Sequence, residues 1–73
     1  GKVEATEFII KSSSRIAGTP ISKLKLKPDV LIGAILRDGA VIIPRGQDTI
    51  EVGDSVIVVS KAVSLHDVKD VLL

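Results

Sequence analysis

The stretch VLIGAILRDGAVIIP, residues 30–44, decides the fold. Two apolar runs rich in β-branched residues stand on either side of Asp38-Gly39. A two-residue type I′ turn needs positive φ at both central positions, which Asp tolerates and Gly prefers, so the pattern predicts a β-hairpin. Pro44 has no amide hydrogen to give a ladder and closes the second strand.

Upstream, VEATEFIIK at residues 3–11 reads as a strand with Phe8 and Ile10 on one face and Ile9 on the other. Ser12, Ser13 and Ser14 break the pattern into a loop, and Gly18 permits a turn. TPISKLKL, residues 19–26, has the marks of a short helix. Thr19 is placed to cap it, Pro20 suits its first position, and Ile21 and Leu24 point inward together. Pro28 and Asp29 end it.

Downstream, residues 45–54 are polar and turn-rich, with Ile50 and Val52 expected to anchor them to the core. SVIVVS, residues 55–60, holds four consecutive apolar β-branched residues and is predicted as a central strand covered on both faces. The tail KAVSLHDVKDVLL, residues 61–73, switches to helical spacing. Leu65, Val68 and Leu72 form its stripe with Val71 beside them, and either Ser64 or Ser60 is placed to cap. The sum is one domain over residues 1–73, of α+β class. It is a two-layer sandwich in β-α-β-β-β-α order, with a four-stranded mixed sheet and a C-terminal helix.

Composition narrows the function. The 73 residues suffice for one small domain, and 45% of them are hydrophobic with Phe8 the single aromatic, so the core is aliphatic. Ten basic residues against nine acidic give a net charge of +1, without the basic excess and stacking aromatics of a nucleic-acid binder. Cysteine is absent, which excludes disulfides and thiolate metal sites, and no apolar run reaches the roughly 18–20 residues of a membrane span. The chain begins at Gly1, holds no methionine, and reads as a piece of a longer protein.

Catalytic chemistry finds no footing. His66 is the one histidine, so a metal site lacks partners, and the serines at 12–14 have no paired base. His66 is expected to face solvent from the last helix. Arg37 beside the turn is a candidate interface or ligand contact, or else a surface turn pair with Asp38. Arg45, between Pro44 and Gly46, is either presented to an anion or solvated. Asp54 after Gly53 is expected to hold the turn by bonding backbone amides. No enzyme is expected.

Taken in order, EFIIK, Gly18 before PISKLKL, VLIGAILRDG, VIIPRG, TIEVGDSVIVV and the amphipathic tail resemble the TrkA C-terminal domain. That domain is also the C-terminal lobe of RCK (regulator of potassium conductance) domains, and the likeness is greatest to the Trk-type potassium uptake regulators. The resemblance implies a cytoplasmic regulatory lobe that forms a homodimer and acts on a potassium transporter at the inner face of the membrane. It implies no contact with nucleic acid and no insertion into the bilayer. A dinucleotide such as NAD, or ATP, belongs to an N-terminal Rossmann-like lobe, and no GxGxxG follows a strand here. Some relatives bind cyclic di-AMP or other small effectors across the dimer seam. The matching stretch runs from Lys25, Leu26 and Lys27 to Leu31 and Ile32. The alternative function is a purely structural pairing domain without a ligand.

Overall fold

A computed structural model describes residues 2–61 and 64–73. Four strands form one sheet: β1 (Val3–Ile9), β2 (Val30–Arg37), β3 (Ala40–Ile42) and β4 (Ser55–Lys61). Their order across the sheet is β1-β4-β2-β3 and every neighbouring pair is antiparallel. The SVIVVS strand is central, as its composition predicts, but only one of its faces is fully covered: Val56, Val58 and Ser60 are buried and Ile57 and Val59 half-buried. The Asp38-Gly39 turn takes positive φ at both positions, 51° and 78°, so the hairpin forms by the expected geometry.

The sheet corrects the expected fold class. It is antiparallel and not mixed, because β1 and β2 run in the same direction but β4 lies between them. The second layer holds no α-helix among the described residues, only two 3-10 turns at Ile21–Lys23 and Val68–Val71. The protein is nearly all-β.

Both lost helices have identifiable causes. At residues 19–26, Pro20 and not Thr19 stands at the N-cap, with no side-chain cap, and Leu24 is already extended at ψ 134°. Leu24 and Leu26 alternate, and the extended backbone pairs Leu26 with Leu72 in an isolated bridge. At the tail a capping box does form, but from Asp67 and Asp70 and not from Ser64, and Leu72 turns extended at ψ 149° to meet that bridge. A helix this short is marginal without strong packing, and the bridge offers the chain's end an alternative. Ser60 belongs to β4, while Ala62 and Val63 of the predicted helix lie outside the described residues.

The core sits between one face of the sheet and this irregular layer. Val30, Ile32, Ile35, Val56 and Val58 from the sheet meet Ile10, Ile16, Ile50, Leu65 and Val71 from the loops and turns, all buried. Val52, expected as an anchor, is exposed, while Ile50 of the same loop is buried in the core. One irregularity sets the inward pattern of β2. Ile32 faces Val58 and Ala34 faces Ile57, leaving Gly33 as an extra residue in a bulge. Without the bulge, residues 32 and 35 would point to opposite faces; with it, both Ile32 and Ile35 are buried. A β-carbon at Gly33 would lie 3.4 Å from the Val59 methyl, so glycine also permits the close strand approach.

Candidate functional site

Arg37 leaves the hairpin turn and reaches across to the loop before β4. Its Nε donates to Asp54 Oδ1 at 2.9 Å and its Nη2 to Asp54 Oδ2 at 2.7 Å, a two-pronged ion pair. Nη2 also donates to the Thr49 carbonyl at 3.0 Å. The Asp54 carboxylate accepts the Glu51 N–H at 2.8 Å, so it holds its turn through a backbone amide as its position predicts. Arg37 therefore serves the fold by locking the hairpin to residues 49–54, and its partner is Asp54 and not Asp38.

The hydrogen bonds from Arg37, helped by the Glu51 amide, hold the Asp54 pKa below the ordinary aspartate range against the opposing effect of burial. A carboxylate depressed in the folded state stabilises fully above its unfolded pKa, about 3.9, and loses that contribution as pH falls through the folded value. The melting midpoint should stay flat from neutral pH to about pH 5 and drop below about pH 4. In Asp54→Asn that acid-side drop should be shallower, which thermal melts across the range will read.

The segment 25–32 divides between three places. Lys25 and Lys27 flank the bridge to the chain's end: the Lys25 carbonyl accepts the Leu73 N–H at 2.8 Å, and the Lys27 N–H donates to the Val71 carbonyl at 2.9 Å. Both lysines line an open groove of about 460 Å³ together with Arg15, Lys23, Lys69 and Asp70. Leu26 lies half-buried in the bridge itself. Leu31 is 63% exposed on the opposite side of the sheet, whereas Ile32 is 5% exposed in the core. The structure thus joins Lys25 to Lys27 and separates both from Ile32.

Arg45 stands alone. Its backbone N–H donates to Asp48 Oδ2 at 2.7 Å in a local turn, and its guanidinium has no partner among the described residues. His66 is exposed, as expected, and its amide donates to Asp70. No group of three or more potential metal ligands exists among the described residues.

The outer face of the sheet is the second surface. Leu31, Leu36 and Val41 are exposed there, beside half-buried Ala34, Ile57 and Val59 at the centre. Strand alternation sets Glu7 and Lys61 on this same face, toward opposite ends of β4. No sequence signal marked this face as open, because SVIVVS reads as buried on both sides. Arg15, Lys23 and Lys69 were equally invisible as a group, since only the tertiary fold gathers residues so far apart in the chain.

The described residues form a small, nearly all-β domain with an open apolar sheet face and a basic groove. The TrkA-C domain model matches residues 5–73, and the chain belongs to that family, a regulatory one without enzymatic activity. It is homologous to the Trk system potassium uptake proteins. It is 38% identical over 71 residues to the Trk system potassium uptake protein trkA homolog 1 of Methanosarcina mazei, covering 97% of this chain and 18% of that one. Against the Trk system potassium uptake protein TrkA of Haemophilus influenzae it is 39% identical over 61 residues, covering 80% of this chain and 13% of that one. The chain therefore spans less than a fifth of the length of these relatives. A solved structure described as an RCK domain with cda shares the fold at a TM-score of 0.66 and 19% identity, over 80% of this chain and 81% of that one.

Proposed function

We propose that this domain is the regulatory C-terminal lobe of a cytoplasmic potassium-uptake regulator. It pairs with a second copy through the outer face of its sheet and responds to a small effector on residues 25–31. Through the parent protein it acts on a membrane potassium transporter, with NAD or ATP held by a separate lobe. The observation that carries this reading is the outer face itself. With strands of seven and eight residues, it measures about 20 Å across and 24 Å along, the size of the largest patch on a typical monomer, which is often functional.

A second copy is the occupant favoured by charge. Packing two such faces about a two-fold axis perpendicular to the strands runs β4 antiparallel to its symmetry mate, which sets Lys61 of each copy toward the Glu7 end of the other. Leu31 lies on this face and the lysines a few residues earlier lie beside the groove. An effector on this segment therefore touches the seam from its margin. Regulation follows if the effector favours one arrangement of the pair over another, since equal affinity for both shifts nothing.

Light scattering on the chain should give a dimer, and cyclic di-AMP should raise its melting midpoint by several degrees. A monomer at all accessible concentrations would refute the pairing. A dimer whose midpoint no cyclic dinucleotide moves would assign the face to structural pairing alone.

A further inference from the structure

The groove beside residues 23–27 continues into a second one that shares Arg15 and Lys69 with it. Together they gather Lys11, Arg15, Lys23, Lys25, Lys27 and Lys69, six of the ten basic side chains in the chain. The net charge is only +1, so this is segregation of charge and not a basic composition. Arg37–Asp54 is the single ion pair among the described residues, and it lies elsewhere, so none of the six cations is paired.

Three carboxylates line the same grooves, and each is engaged. Glu7 accepts the Ser55 hydroxyl, Asp67 accepts the Lys69 N–H, and Asp70 accepts the N–H groups of His66 and Asp67 at 3.0 Å each. Lys27 lies near enough to Asp70 to favour its ionised form, without forming a close pair. In the wall of the second groove the Ser14 hydroxyl is buried with no hydrogen-bond partner. The lining carries six cations against three carboxylates, and such an excess of positive charge in a cleft focuses field and concentrates counter-ions.

We propose that these joined grooves bind a multiply charged phosphate group, recognised by charge and not by an attached base. Lysine supplies point charges suited to a diphosphate or triphosphate chain, and with six cations against one half-buried aromatic on the lining, Phe8, charge outweighs stacking. A free polyphosphate moiety and a phosphorylated lipid headgroup present the same chemistry. One chain carries the whole site, so it does not depend on pairing through the sheet face. It shares Lys25 and Lys27 with the proposed effector segment, but Arg15 and Lys69 lie outside that segment.

The test is a melt of the chain in millimolar tripolyphosphate against sodium chloride of matched ionic strength. A midpoint rise of at least about 5 °C is expected. It should vanish in the double variant Arg15→Gln with Lys69→Gln and persist in Lys61→Gln, whose cation lies on the sheet. Co-sedimentation with phosphatidylcholine vesicles containing phosphatidic acid, whose phosphomonoester can carry two charges, forms the second arm. Binding there that is lost in the double variant, without a tripolyphosphate shift, assigns the groove to a lipid headgroup. Should the double variant melt abnormally without ligand, Lys23→Gln with Lys25→Gln replaces it. The proposal is overturned if neither probe acts, or if either acts equally on the groove variants. A cyclic di-AMP shift that survives Arg15→Gln with Lys69→Gln would uphold the effector segment while separating it from this site.

Discussion

Asp54→Ala is expected to lower stability by about 2–3 kcal/mol, a melting midpoint drop of roughly 10–20 °C. Deleting one partner of a buried pair ordinarily costs about 3–5 kcal/mol, but the Arg37 side chain is 34% exposed and can recover water. The reciprocal change should be worse. In Arg37→Ala the stranded group is Asp54, only 2% exposed, with no route to solvent and one backbone amide left to support its charge. The hairpin would also lose its tie to the Thr49 carbonyl. The ordering Arg37→Ala below Asp54→Ala below wild type in thermal melts is the signature of a buried carboxylate. Equal effects, or the reverse order, would mean that the pair adds only surface attraction.

Val59→Lys should convert the dimer to a monomer. Val59 pairs with Ala5 on one side and Leu31 on the other, at the centre of the apolar face. A two-fold pairing would bring its lysine close to the partner's in a desolvated setting, raising the dimer Kd by at least about 100-fold. Val59 is already half-exposed, so the monomer should keep its sheet by circular dichroism. Charge reversal offers a finer check. Lys61→Glu alone should weaken pairing by setting two acids together, and adding Glu7→Lys should restore it. If Val59→Lys remains a dimer by light scattering, the outer face is not the seam.

The strands were legible in the sequence because each rests on a short-range rule. Asp38-Gly39 dictates a turn from two residues alone, and the β-branched run at 56–59 dictates a central strand. The helices failed because short-range spacing is ambiguous in segments of about eight residues. Leu24 and Leu26 fit an extended strand as well as Ile21 and Leu24 fit a helix, and the choice was made by the distant Leu72. Asp54 was read correctly as a turn residue, yet nothing local announced that Arg37, 17 positions away, would pair with it. Of the candidate binding residues, Lys25 and Lys27 came from resemblance, while Arg15 and Lys69 needed the fold to bring them alongside.

The extra residue at Gly33 is absorbed by the bulge, so the inside and outside of β2 are set by the residues on either side of it. Deleting it would leave Ile32, Ala34 and Ile35 in regular alternation against Val58, Ile57 and Val56, with both isoleucines still facing the core. An alanine put in its place asks only that the Val59 methyl yield slightly. The inward pattern of β2 should therefore survive either change, because residue 33 is the one that the alternation does not count.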